Sequence, residues 1–223
     1  MRILSTKILK SNQRQFLLNA GFSVVEADFI RVTPLEFSLE NTAENLIITS
    51  CNAVKALAAH PDVQHIRRKP VFCVGQKTAD LLDEIGFTVQ ETADYGSELA
   101  RIIASDYPSE SFTFFSGNMR RDELPYTLTQ AGVRLNEINV YHTALTPHKV
   151  GSFDGILFFS PSAVHSFVSE NAMGDAVCFC IGQTTARALE GICEKIVVAH
   201  LPSVENTIIQ TINYFGRTST VGL

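Results

Sequence analysis

No apolar run in this chain reaches the roughly 18 residues that a membrane-crossing helix needs. The opening Met1-Arg2-Ile3-Leu4-Ser5-Thr6-Lys7 lacks the long apolar core of a secretory signal, and charged or amide residues interrupt the chain up to Arg14. Excess positive charge is missing too: 18 basic residues face 23 acidic ones, a net charge of −5. Binders of nucleic acid or anionic membrane draw affinity from surplus Lys and Arg, so neither partner is expected. A small anion held by a few local donors is not excluded. Only 18% of the residues are charged and 45% are hydrophobic, which rules out disorder. The five cysteines (Cys51, Cys73, Cys178, Cys180 and Cys193) are odd in number, form no C-x-x-C and sit mostly in apolar runs. They read as reduced thiols of a cytoplasmic protein. Cys178-x-Cys180 reads as strand residues, not as a metal or redox pair.

Several catalytic signatures are absent as well. There is no G-x-x-x-x-G-K-[ST] and no G-x-G-x-x-G after a strand, so neither a P-loop nor the usual dinucleotide fingerprint is present. H-E-x-x-H, zinc-type cysteine spacing and G-x-S-x-G are missing, and the six histidines are scattered. A metal or covalent mechanism finds no support, and no cofactor is expected.

What the chain does have is alternation. Strands are expected at Arg2–Ser5, Ser23–Ile30, Leu46–Thr49, Val71–Val74, Thr88–Glu91, Phe112–Phe115, Val133–Tyr141, Gly155–Phe159, Ala176–Ile181 and Lys195–Ala199. Segments with helical apolar spacing lie between most of them, such as Gln15–Ala20, Ala53–Ala59, Thr78–Ile85, Asp122–Ala131 and Val204–Tyr214. Gly21, Gly86 and Gly132 stand where helix C-caps belong. This is an α/β chain with parallel sheets flanked by helices.

The chain also repeats itself. Phe72-Cys73-Val74-Gly75-Gln76-Lys77-Thr78-Ala79 returns 107 residues later as Phe179-Cys180-Ile181-Gly182-Gln183-Thr184-Thr185-Ala186. Ser50-Cys51-Asn52-Ala53-Val54 returns at an offset of 110 as Ser160-Pro161-Ser162-Ala163-Val164, and Ser5 matches Ser116 at 111. Two similar lobes of about 110 residues follow. Arg31-Val32-Thr33-Pro34 and Thr143-Ala144-Leu145-Thr146-Pro147 read as extended linkers in equivalent places. If both are linkers, residues 35–145 form a continuous lobe, and residues 1–34 join 146–223 in a discontinuous one. A two-stranded linker then joins the lobes, with a cleft between them. Two tandem lobes split near Pro108 are the alternative.

Small polar residues gather where strands meet helices: Ser5-Thr6, Ser50 with Asn52, Gly75 to Thr78, Ser116-Gly117-Asn118, Ser160 with Ser162, and Gly182 to Thr185. Ligands of open parallel sheets bind at such strand ends, where helix N-termini offer backbone N–H groups. The plainer role for each hydroxyl is an N-cap. Lys7 and Arg120-Arg121 follow equivalent strands, and a cation there can pair with an anion. Tyr141 ends a strand beside the second linker.

These pieces, in order, resemble the uroporphyrinogen-III synthase family. They are Ile48 to Val54, Cys73 to Ala79, Phe115-Ser116-Gly117-Asn118 with Arg121 and Leu124, Val140-Tyr141-His142-Thr143, Phe158 to Val164, and Cys180 to Ala186. The resemblance implies a bilobal fold and a cofactor-free lyase of tetrapyrrole biosynthesis. It would cyclise and dehydrate hydroxymethylbilane to uroporphyrinogen III with inversion of the last pyrrole ring. It implies that Tyr141 matches the tyrosine proposed as the acid for hydroxyl departure. It also implies that Ser50, Thr78, Ser160, Thr185 and the backbone at Ala163 lie in ligand-binding loops. Asn52 stands where many relatives carry a basic residue. Lys7, Ser116, Gly117, Arg121, Ser162 and Thr184 complete the expected contacts with a polycarboxylate substrate. A cytoplasmic monomer is expected. Two other classes share the features: a non-enzymatic bilobal binding module for an anionic metabolite, and a nucleotide-dependent transferase with an unusual phosphate loop.

Overall fold

Leu46-Ile47-Ile48, Val71-Phe72-Cys73 and Ile156-Leu157-Phe158 carry no polar residue on either face, and all nine side chains are buried. Strands of this kind need cover on both sides, which helices supply. The computed structural model describes residues 1–218. Its first elements are β1 (Arg2–Ser5), α1 (Ser11–Asn19), β2 (Ser23–Glu26), β3 (Ile30–Pro34), β4 (Asn45–Ile48), α2 (Cys51–Ala58), β5 (Val71–Val74), α3 (Gln76–Glu84), β6 (Val89–Ala93) and α4 (Gly96–Asp106). Then come β7 (Ser111–Gly117), α5 (Glu123–Gln130), β8 (Arg134–Leu145), β9 (Gly155–Phe158), α6 (Pro161–Val168), β10 (Val177–Cys180), α7 (Gln183–Arg187), β11 (Ile196–Val198) and α8 (Val204–Thr218). No helix of the described residues is long and apolar enough to cross a membrane.

The chain forms two compact units, one of Met1–Arg31 with the chain from Ala144 onward, the other of Val32–Thr143. The first holds a sheet in the order β11-β10-β9-β1-β2, with every pair parallel. The second holds β3-β8-β7-β4-β5-β6, parallel from β8 to β6. Without β3, the second order matches the first strand for strand, as the repeat requires. In each sheet alternate side chains feed opposite layers. In the first unit Ile3, Leu157 and Phe179 pack with Leu17 of α1 and Ile208 of α8, while Leu4, Ile156, Cys178 and Cys180 pack with α6 and α7. In the second, Ile47, Phe72 and Phe114 meet α4 and α5, while Leu46, Ile48 and Cys73 meet α2 and α3. The two sides of each sheet are covered by different helices, so the connections diverge at β1/β9 and at β7/β4. Crevices form outside the carboxyl ends of strands at such switch points.

One expectation is corrected. The single strand expected at Ser23–Ile30 is two strands, because regular pairing with β1 ends at Glu26 opposite Ser5. The two segments read as extended linkers are extended: β3 spans 30–34 and β8 runs through Leu145. Leu35 N–H donates to Val140 C=O and Thr146 N–H to Phe29 C=O, so the two segments pair antiparallel.

Candidate functional site

In the second unit three neighbouring strand ends carry the polar loops. After β4, Ser50 is the N-cap of α2 and its Oγ accepts from Asn52 N–H at 3.1 Å. The cap uses a lone pair, so the hydroxyl proton stays available to an acceptor. After β5, Gly75 is the N-cap of α3 at φ +83°, and no side chain caps the helix. The N–H groups of Gln76 and Lys77 have no acceptor among the described residues. Thr78, third in that helix, is buried, with Oγ1 3.8 Å from Cys51 Sγ. It ties one helix start to the next.

The first unit repeats the pattern. Ser160 caps α6 and its Oγ accepts from Ala163 N–H at 3.1 Å, while Pro161 brings no N–H and Ser162 stays half-buried at the helix start. α7 again starts from an uncapped glycine, Gly182. Gln183 and Thr184 N–H lack acceptors among the described residues, and Thr185 is buried. The hydroxyl cap and the bare helix start thus each occur twice, once in each unit.

The loop after β1 differs. The N–H groups of Ile8 and Leu9 are taken by Asp28 Oδ1 and Glu26 Oε1, both at 2.9 Å. Glu26 also pairs with Arg14 at 3.3 Å. The sequence marks this loop as an open N–H cradle, and acids from the end of β2 fill it. Lys7 is half-buried with Nζ 5.8 Å from the Phe159 ring centre. Of the arginine pair after β7, Arg120 is held by Asp122 and by Glu137 at 2.6 Å. Arg121 is exposed with no acidic partner among the described residues.

Tyr141 sits on β8 opposite Gly117. Its ring is half-buried against the core that contains Phe115 and Val140, and lies on the Gly117 main chain. A Cβ at Gly117 would stand 2.3 Å from Tyr141 Cε2 and 2.4 Å from Cζ. The phenol has no hydrogen-bond partner among the described residues. Ser116 is buried and its Oγ donates to Asn139 Oδ1 at 3.2 Å. Asn118, quoted in the motif but not singled out, makes two bonds to the backbone of Thr143. Asp28, Glu26 and Asn118 are the residues that sequence reasoning missed.

The cysteines are chemically quiet. Burial pushes the Cys178 and Cys180 thiols up, Cys180 to about 12, and burial raises Cys73 despite its bond to Thr92. Thiols held protonated are poor nucleophiles and poor metal ligands. A hollow of about 520 Å³ opens between Phe37–Thr42 and His60–Lys69, before β4 and β5 begin, and holds none of the candidate residues. Its Lys69 ammonium donates to Thr42 O, Thr42 Oγ1 and Ala43 O, a structural tie.

Residues 13–208 match the family model of uroporphyrinogen-III synthase HemD. A uroporphyrinogen-III synthase of Saccharomyces cerevisiae is 33% identical over 120 residues, 46% of this chain and 44% of the yeast protein. The alignment thus spans less than half of that relative. The fold is like that of uroporphyrinogen-III synthetase from Helicobacter pylori, with TM-score 0.69, 20% identity, and coverage of 96% of this chain and 100% of that one. It is also like a mutant uroporphyrinogen III synthase from Thermus thermophilus, with TM-score 0.71, 15% identity, and 98% and 99% coverage.

Proposed function

The chain belongs to the uroporphyrinogen-III synthase family, and on that premise we propose that it converts hydroxymethylbilane into uroporphyrinogen III. The observation that carries the reading is the donor set at equivalent strand ends: two capping serines with free protons and two uncapped helix starts. Such donors hold carboxylates without a surplus of positive charge. The substrate bears acetate and propionate on each ring, so a protein of net charge −5 has to bind it through local donors.

In this reading the hydroxymethyl C–O bond breaks and the oxygen leaves as water, taking a proton from an acid. The pyrrole nitrogen lone pair stabilises the azafulvene cation that remains. The substituted carbon of the last ring attacks it to give a spiro-pyrrolenine. Fragmentation and re-closure invert that ring, and loss of a proton restores the pyrrole. Tyr141 supplies the first proton, from a phenol O–H that has no hydrogen-bond partner among the described residues. Lys7, Arg121, Ser50, Ser160, Ser162, Asn52 and Thr184 hold carboxylates with the N–H groups of the first turns of α3 and α7. Thr78 and Thr185, buried in those turns, support them from behind, and the Ala163 backbone N–H holds Ser160 at the start of α6. Without the enzyme the chain closes head to tail, so much of catalysis is control of substrate conformation.

The test is direct. The protein is incubated with freshly made hydroxymethylbilane in EDTA without nucleotide, the products are oxidised, and the porphyrin isomers are separated. Type III product is expected. Type I alone, matching the enzyme-free blank, overturns the proposal and leaves a binding module as the better reading. The oligomeric state belongs to the same proposal: a monomer, read from sedimentation.

A further inference from the structure

Three consecutive residues at the end of β7 grip β8 around Tyr141. Ser116 Oγ reaches Asn139, two residues before the tyrosine. Gly117 lies under the ring with no Cβ to hold it off. Asn118 Oδ1 accepts from Thr143 N–H at 2.7 Å, and its Nδ2 donates to Thr143 C=O at 3.1 Å, two residues after the tyrosine. The register shifts between Ser116 and Gly117, which leaves Val140 as an extra residue in β8. A bulge re-aims the neighbouring side chain and interrupts the ladder. The chain of β7 also turns away after Gly117, so backbone pairing stops there. The Asn118 amide then serves as a surrogate peptide group, satisfying both backbone groups of a buried residue. Asn118 itself is exposed and could bond to water, yet both its hydrogen bonds go to the backbone of one residue.

We propose that Ser116-Gly117-Asn118 is a seat that positions Tyr141, with Asn118 fixing the strand on which the phenol is carried. The inference rests on the assignment of Tyr141 as the acid, and it places Ser116 and Gly117 in positioning. Asn118 is a positioning residue: it has no part in proton transfer and acts through the tyrosine.

The experiment is a double-mutant cycle with a spectroscopic arm. Turnover is measured for the parent, Asn118→Ala, Tyr141→Phe and the double variant. A displacement of about 1 Å is enough to cost up to ~100-fold, so Asn118→Ala should lower kcat about tenfold with KM unchanged. In the Tyr141→Phe background the same change should have almost no further effect on kcat. The protein, with its five tyrosines, is also labelled with 3-fluorotyrosine, and the signal lost in Tyr141→Phe identifies Tyr141. That fluorine signal should shift or broaden in Asn118→Ala. Asn118→Asp keeps the acceptor and loses the donor, so it should fall between the two; it replaces Asn118→Ala if that variant does not fold. Equal kcat losses in both backgrounds, or an unmoved Tyr141 signal, overturn the seat. If the parent makes no type III product, the proposed function fails, while the fluorine arm still decides the seat.

Discussion

Replacing Gly117 by alanine puts one methyl group into a space the Tyr141 ring already fills. The new Cβ would lie 2.3, 2.4 and 2.8 Å from three ring carbons, where ordinary contacts begin at 3.4 Å. The ring therefore has to retreat by about 1 Å. One of the three atoms, Cδ2, is near the root of the ring, so a ring rotation alone does not clear it. Overpacking of this kind costs about 1–3 kcal/mol. The gain from removing a strand glycine offsets only about 0.5–1 kcal/mol of that. The net loss should disappear in a Tyr141→Ala background, where no ring is present to clash. Urea unfolding of the four proteins gives the coupling directly. Activity is read beside it, as the rate of type III product. A shift of about 1 Å can cost up to ~100-fold, but the loss should not exceed that of Tyr141→Phe, since the effect acts through the phenol. The reasoning fails if Gly117→Ala is equally destabilising with and without the ring, or if it turns over at the parent rate.

Two further predictions concern charge. Cys178 and Cys180 are buried, which holds their thiols protonated and pushes the folded pKa above the ordinary thiol value of 9.0. Their contribution is present below that value and is lost as pH rises toward the folded pKa, about 12 for Cys180. Stability should therefore fall between pH 8 and 10, by roughly 1 kcal/mol for each thiol, and calorimetry in reductant should find that slope reduced in Cys180→Ala; an unchanged slope refutes it. At the end of β7 the two arginines should separate by assay. Arg121→Ala should raise KM about two- to fivefold, more at low salt, with an unchanged melting temperature. Arg120→Ala, which releases Glu137 and Asp122, should lower the melting temperature instead; the reverse pattern contradicts the assignment.

What was legible in the chain was whatever is enforced by burial. Runs such as Leu46-Ile47-Ile48 can only be strands with cover on both faces, and the strands alternate with helices, so the α/β class followed. The expected starts of α1, α2 and α3 fall two to four residues late because their first turns are polar: Ser11, Cys51-Asn52 and Gln76-Lys77 carry no apolar period. Thr143-Ala144-Leu145 reads as an extended linker, and its continuity with β8 depends on pairing with β3, more than a hundred residues earlier. Arg120 and Arg121 look alike in sequence; Asp122, and Glu137 of the neighbouring strand, both paired with Arg120, tell them apart. The Asn118–Thr143 pair joins residues 25 apart with no local pattern. Glu26 and Asp28 were read as part of a strand, and only the fold turns them toward the loop after β1.

The duplication makes a final prediction possible. Strand interiors in both units are fixed by burial on two faces, so they stayed alike, whereas strand-end loops are free to diverge. The caps Ser50 and Ser160 and the bare starts of α3 and α7 occur once in each unit. The proposed acid does not: Thr6, which matches Gly117 at the 111-residue offset, sends its hydroxyl to Leu157 C=O at 2.7 Å, and no tyrosine lies in the segment 22–31 that follows α1. The proposed roles therefore give binding to both copies and proton donation to one. Ser160 tests this, because its two roles come apart. Ser160→Ala removes the N-cap and should cost about 1 kcal/mol of stability, while Ser160→Gly keeps most of the cap preference and should cost only a few tenths. Both lose the hydroxyl donor, so both should raise KM by a similar factor and leave kcat near the parent value. The pair thus separates stability from binding. A fall in kcat as large as that of Tyr141→Phe, with KM unchanged, would mean that the first unit takes part in the proton step, and the division of labour between the copies would be wrong.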